Sequence, residues 1–260
     1  MLIIKAPTSP YIFLKVRYYS VFMMLAMILG LFISYNFSEK YFETKKEIVL
    51  DMFPVLIVSG IVGARLYYVL INLHYFLLNP IESIQIQNGG ISIHGALIGG
   101  VLGIVIYCKI KKIKVLPYLD NISIGLILAQ ALGRLGNYFN QEAFGSPTNG
   151  FLKLYVDKSY RPQEYVNFDY FHPTFLYEII TNLVVFLILF FILKYKKRRK
   201  EGEITLWYLL LYSIFRFFIE MIRVDATLYV MGLSIASVVS LLIIIVCGVF
   251  LFKMNRDGAF

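Results

Sequence analysis

The chain has 260 residues, of which 59% are hydrophobic and 17% aromatic, with 20 Tyr and 22 Phe. A soluble domain is about 45–50% apolar, so this composition excludes an ordinary soluble enzyme and points to a polytopic membrane protein. The formal net charge of +9 reads, in that setting, as basic cytoplasmic loops facing anionic lipid, not as a nucleic-acid surface.

Before the first apolar stretch stand Lys15 and Arg17. No small-residue cleavage site follows, so a removable signal peptide is not expected. Arg17-Tyr18-Tyr19 has the composition of an interfacial belt. Seven stretches have roughly the 20 residues needed to cross about 30 Å of hydrocarbon. They lie near 18–36, 48–73, 91–108, 118–139, 174–193, 204–223 and 229–252. The third is weakened by a histidine and several glycines. Cys108 and Cys247 both fall inside apolar runs. They imply neither a disulfide framework nor a cysteine metal site.

Basic residues concentrate in alternate connections: Lys40, Lys45 and Lys46; Lys109, Lys111, Lys112 and Lys114; Lys194, Lys196, Lys197, Arg198, Arg199 and Lys200; and Lys253 with Arg256 in the tail. The other side carries fewer, with Lys5, Lys15, Arg17, Lys153, Lys158, Arg161 and Arg223. The positive-inside rule then places the N-terminus outside and the C-terminus in the cytoplasm. The turn-rich segment 141–171 reads as a small extracytoplasmic cap. With no internal repeat and no linker, the expectation is one domain over 1–260. Its expected class is an all-α, polytopic membrane helical bundle of about seven transmembrane helices.

Three polar clusters interrupt the apolar background. The first is Gly133-Arg134-Leu135-Gly136-Asn137-Tyr138-Phe139-Asn140-Gln141-Glu142. Charges at membrane depth are costly and usually functional, although a lone Arg134 could also be a snorkelling anchor. The second is Gly89 to Ala96 around His94. An imidazole there can titrate near neutral pH and move a proton, or can simply be hydrogen-bonded for helix packing; Gly95 would leave room for a ligand. The third is Tyr212, Arg216 and Glu220, spaced four apart on one helix face. Their Arg–Glu pair lowers the cost of both charges and aims a guanidinium at a phosphate, or is a structural ion pair. Arg65 and Glu178 add smaller signals, Glu178 as a possible partner of Arg65, Arg134 or Arg216. By the loop charges, Arg65, His94, Arg134, Asn137, Glu142, Glu178, Arg216 and Glu220 all fall in the outer half of the membrane. Three arginines with few carboxylates suit an anionic headgroup.

These motifs resemble, in order and spacing, those of the bacterial prolipoprotein diacylglyceryl transferases. Gly63-Ala64-Arg65-Leu66-Tyr67-Tyr68, Gly89 to Gly100, Gly133 to Glu142, His172 to Glu178 and Tyr212 to Arg223 carry the likeness over nearly the whole chain. The resemblance implies a multi-pass enzyme of the bacterial inner membrane, active toward the outer leaflet. It implies transfer of the sn-1,2-diacylglyceryl group of phosphatidylglycerol to the lipobox cysteine of a lipoprotein precursor, with a thioether and glycerol phosphate as products. Phosphatidylglycerol, the precursor peptide and membrane lipids are the implied partners, with no nucleic acid, cofactor or metal. Matched residue by residue, it implies catalytic roles for His94, Arg134, Arg216 and Glu220. It implies contact with the lipid by Arg134, Arg65, Asn137, Glu142, Tyr19 and Tyr212. Two departures stand out: Ala96 where the family often has a second glycine after the histidine, and Met231-Gly232-Leu233-Ser234 where a glutamine is usual. A transporter reading would expect inverted repeats with broken helices, which the sequence lacks. A purely structural subunit would leave the one-sided clustering of charge unexplained.

Overall fold

The computed structural model describes residues 1–196, 199–224, 229–230 and 232–256. Lys197 and Arg198 of the basic connection, and Met231, lie outside the described residues. In chain order the elements are β1 (Leu2–Lys5), β2 (Tyr11–Phe13), β3 (Val16–Arg17), α1 (Tyr18–Phe42), α2 (Lys46–Ile71), α3 (Leu73–Leu78), α4 (Ile93–Lys111), α5 (Leu116–Phe139), β4 (Leu152–Tyr155), β5 (Tyr170–Phe171), α6 (Thr174–Tyr195), α7 (Glu203–Glu220), β6 (Tyr229–Val230), β7 (Leu233–Ser234) and α8 (Ile235–Arg256).

Five of the helices, α1, α2, α4, α6 and α8, are long and apolar enough to cross a membrane. The chain is therefore a mostly helical, multi-pass membrane protein. Helices α5 and α7 coincide with the expected fourth and sixth stretches, and their charges, among them Asp120, Arg134, Arg216 and Glu220, lower their apolarity. Two expected boundaries change. The last stretch was expected from 229, but Tyr229–Val230 pairs antiparallel with Leu233–Ser234 as β6–β7, with Gly232 at φ +79° before β7, and the helix starts at Ile235. Helix α1 runs to Phe42 and not to 36, because the polar residues Asn36, Ser38, Glu39 and Lys40 remain helical. Its exit is a left-handed Glu43 (φ +54°) followed by Thr44, whose N–H donates to the Ser38 carbonyl at 3.1 Å.

The fold divides into two compact units, Tyr35–Leu119 and Met1–Ser34 with Asp120–Phe260. In the smaller unit, α2 and α4 meet through small residues. A Cβ added to Gly95 would run into the Gly63 carbonyl and the Tyr67 Cβ; one on Gly63 would lie 2.7 Å from the Gly99 Cα. Such glycine contacts let membrane helices approach to backbone distance. The space expected beside Gly95 for a ligand is therefore filled by α2.

In the larger unit, α1 and α5 also touch backbone to backbone. A Cβ on Gly30 would sit 3.2 Å from the Ala129 Cβ and 3.3 Å from the Gly125 carbonyl oxygen. At the start of α7, buried Asp120 of α5 accepts from the Gly202 N–H (2.7 Å), the Thr205 N–H (2.8 Å) and the Thr205 hydroxyl (2.7 Å). It satisfies main-chain donors that a helix start leaves open.

The expected all-α class is thus mostly helix with a small sheet. Strand β1 pairs in parallel with β4, from Leu2 opposite Leu152 to Lys5 opposite Tyr155, and β4 pairs antiparallel with β5. Beneath lies an apolar core of Phe144, Leu154, Val156, Phe171 and Phe175. The sheet and core give the 141–171 segment a packed interior, and fix the ends of α5 and α6 that border it.

Candidate functional site

The site is built on the ends of three helices of the larger unit. Glu178, on the second turn of α6 and 3% exposed, is its centre. Its Oε1 accepts from Arg216 Nη1 at 3.0 Å and Arg223 Nη1 at 3.1 Å; Arg134 of α5 pairs with its Oε2. Glu220, one turn beyond Arg216 on α7, forms an ion pair with Arg216 Nη2 at 2.6 Å and faces Arg223 Nε at 3.9 Å. The i, i+4 spacing read from the sequence therefore forms the pair it suggested.

Three guanidiniums against two buried carboxylates leave one net positive charge in a partly buried setting. Each guanidinium has five N–H donors, more than Glu178 and Glu220 can occupy. The arrangement is poised to accept an anion with several oxygens, which arginine binds bidentately.

From Arg134 a polar chain runs outward. Its Nη1 donates to Asn137 Oδ1 (3.3 Å), Asn137 Nδ2 donates to Glu142 Oε1 (2.8 Å), and Asn140 Nδ2 donates to the same oxygen (3.2 Å). Tyr19 lies against this segment: a Cβ added to Gly136 would stand 2.9 Å from its ring. The neighbouring Tyr18 stacks on Phe139 with ring centroids 4.4 Å apart. Tyr212, one turn before Arg216, stacks on Tyr208 at 6.0 Å and borders a crevice with Glu178 and Arg216.

A short strip of chain ties the three helix ends together. The Gly145 N–H donates to the His172 carbonyl (2.9 Å), Ser146 N–H to the Ile222 carbonyl (2.7 Å), and His172 N–H to the Ser146 carbonyl (3.1 Å). The Thr174 hydroxyl donates to the Ala143 carbonyl. Gly145 and Arg223 form an isolated antiparallel bridge, so Arg223 is held by the strip after α7 has ended.

A family model described as prolipoprotein diacylglyceryl transferase matches residues 8–253. The chain belongs to this family. A protein of Thermosynechococcus vestitus named phosphatidylglycerol–prolipoprotein diacylglyceryl transferase is 37% identical over 246 residues, covering 95% of this chain and 91% of its own. One of the same name from a Nostoc species is 41% identical over 232 residues, covering 88% and 81%. Another, from Parasynechococcus marenigrum, is 35% identical over 257 residues, covering 94% and 91%.

Of the family-matched residues, the larger unit gathers Arg134, Asn137, Glu142, Arg216 and Glu220 into one connected polar network, with Tyr19 packed on Gly136 and Tyr212 beside Arg216. Arg65 and His94 belong to the smaller unit. Arg65 is buried, and its donors go to main-chain carbonyls: Nε to Ser83 (2.8 Å), Nη1 to Gly89 (2.7 Å) and Gly90 (2.8 Å), and Nη2 to Glu82. It holds the 82–90 loop onto α2. His94 is exposed on the first turn of α4, its ring 6.0 Å from that of Tyr67. Sequence reasoning offered Glu178 only as a possible partner of Arg65, Arg134 or Arg216 and gave no site role to Arg223, although both anchor the cluster. The signal for Glu178 was present: a carboxylate within the first turns of an apolar span needs a cation. Arg223 read only as a cation at a span end, because its closer partner, Glu178, lies 45 residues away.

Proposed function

We propose that this chain transfers the sn-1,2-diacylglyceryl group of phosphatidylglycerol to the lipobox cysteine thiol of a lipoprotein precursor. The reaction forms a thioether, releases glycerol phosphate and opens lipoprotein maturation. The observation that carries the reading is the excess of guanidinium over carboxylate around Glu178, in a chain of this family.

In the proposed step the cysteine sulfur attacks the glycerol carbon that carries the phosphate. The S–C bond forms, the C–O bond breaks, and the electron pair leaves with the phosphate oxygen as glycerol phosphate. Arg134 and Arg216 hold the phosphate and stabilise the charge that grows on it. Glu220 and Glu178 orient those guanidiniums, and Asn137, Glu142, Tyr19 and Tyr212 shape the lipid-binding surface. His94 takes the thiol proton and passes it to water, since the thiolate is the competent nucleophile. Seven spans, the N-terminus outside, the C-terminus in the cytoplasm and 141–171 as an outer cap complete the proposal for an enzyme of the bacterial inner membrane. The loop charges support that orientation.

The test uses purified protein, a lipobox peptide and phosphatidylglycerol labelled in its acyl chains. Label is expected on the peptide, with release of glycerol phosphate. Arg134→Ala is expected to lower turnover by at least about 100-fold, the usual effect of removing a charge-stabilising donor, with helicity retained. Lipid movement without glycerol phosphate would overturn the reading, and full turnover in Arg134→Ala would overturn the role given to that residue.

A further inference from the structure

Asn182 lies four residues after Glu178 on α6, so it stands about 6 Å further along the helix on the same face. It is 3% exposed. Among the described residues its side-chain Nδ2 has no hydrogen-bond partner. It borders a narrow crevice of about 10 Å³, room for roughly one water-sized group, whose other walls include Glu178, Tyr212, Phe215 and Arg216. A buried amide N–H left without an acceptor is unfavourable, and buried polar groups without partners are rare enough to call for an explanation.

The chemistry of the crevice narrows the missing acceptor. Its charged end is the arginine cluster, and its lining also includes the apolar Phe215 and Ile219. An amide N–H in such surroundings suits a neutral acceptor better than an anion, which would need its own cation. In a diacyl phospholipid the neutral acceptors nearest the phosphate are the ester carbonyls, one glycerol unit deeper. With a phosphate at Arg134 and Arg216, the next turn of α6 meets that level.

We propose that Asn182 donates a hydrogen bond to an ester carbonyl of the lipid donor, and so selects acyl-ester lipids over ether-linked ones. This rests on the transferase reading above. Asn182 would act as a specificity-determining residue and take no part in the bond changes. The bond that breaks, between the glycerol carbon and the phosphate oxygen, is identical in ester and ether lipids.

The experiment compares diester and diether phosphatidylglycerol of matched chain length as donors to a lipobox peptide. For the wild type, KM for the diester is expected to be about five- to tenfold lower, the worth of one neutral hydrogen bond. Asn182→Leu, which keeps the shape and removes the donor, is expected to bring the two KM values together by raising that for the diester, with kcat changed less than twofold. If the leucine variant does not fold, Asn182→Ser, too short to reach the carbonyl, carries the same expectation. Equal use of the two lipids by the wild type would overturn the proposal. So would a preference that survives in the folded variant, which would mean that a bound water satisfies the amide. Transfer from neither lipid by the wild type would overturn the transferase reading itself, and is distinguished from the other outcomes by the absence of product.

Discussion

Gln141 and Asp157 clasp each other end to end. Gln141 Nε2 donates to the Asp157 carboxylate at 2.8 Å, and Gln141 Oε1 accepts the Asp157 main-chain N–H at 2.7 Å. Gln141 itself is buried and left-handed at φ +51°, two residues before Ala143 at φ +56°. Such conformations are unfavourable for residues with a side chain, so the clasp holds a turn that would otherwise relax. Gln141→Ala is expected to destabilise the protein by about 1–3 kcal/mol, the cost of leaving the carboxylate and N–H partners unmade. Asp157→Asn keeps an acceptor for the amide and is expected to cost less. Thermal unfolding in detergent, compared across the two variants, checks the order.

Gly145 leaves no room for a methyl group. An added Cβ would stand 2.8 Å from the His172 Cβ, 2.9 Å from the Ile222 carbonyl oxygen and 3.0 Å from the Thr174 Cγ2. Of these neighbours Thr174 opens α6, His172 stands two residues before it, and Ile222 belongs to the segment after α7. Gly145→Ala is expected to cost about 1–3 kcal/mol through overpacking, and to lower turnover by shifting Arg223 and Glu178 relative to Arg134. Gly150→Ala, where the nearest atom is the Thr148 hydroxyl at 3.2 Å, is the control expected to keep activity.

Glu178→Gln removes the negative charge on which Arg134, Arg216 and Arg223 converge, and sets amide hydrogens against their N–H groups. Breaking a buried pair from one side costs about 3–5 kcal/mol. Glu220→Gln touches Arg216 closely and Arg223 only at 3.9 Å, so a smaller loss is expected. Unfolding of both variants, measured in one detergent, tests this ranking.

Arg65→Ala frees the carbonyls of residues 82, 83, 89 and 90. Faster cleavage within 79–90 under limited proteolysis is the expected result. Arg65→Lys is expected to protect only partly, since an ammonium cannot span carbonyls on both sides as a planar fork does. A direct role in holding lipid would instead raise KM without altering cleavage.

The apolar scaffold was legible because a membrane imposes its own length rule. Every expected stretch coincides with a long helix, and the errors lie at the ends, where polar residues such as Ser38 and Lys40 continue a helix that hydropathy would stop. The sheet was not legible. Strand β1 meets β4 across 150 residues of sequence, and four exposed or half-exposed residues at a chain start give no local sign of it. Within the site, spacing alone identified Arg216 with Glu220, which share one helix. It could not rank Glu178 among three possible arginines, because that choice depends on how separate helices pack. The room expected beside Gly95 failed for the same reason: a missing side chain looks alike whether a ligand or another backbone fills the space.

Asp120 reaches its donors at Gly202 and Thr205 across 82 and 85 residues of sequence. A ribosome releases Asp120 long before those donors exist. Until the first turn of α7 emerges, the carboxylate at the head of α5 lacks the three hydrogen bonds that hold it, and α5 lacks its final fastening. The order of synthesis therefore makes the arrival of α7 a late locking event for the helix that carries Arg134. A chain interrupted between residues 120 and 202 would present an unmatched acid to the insertion machinery and to quality-control proteases, while a completed one would hide it.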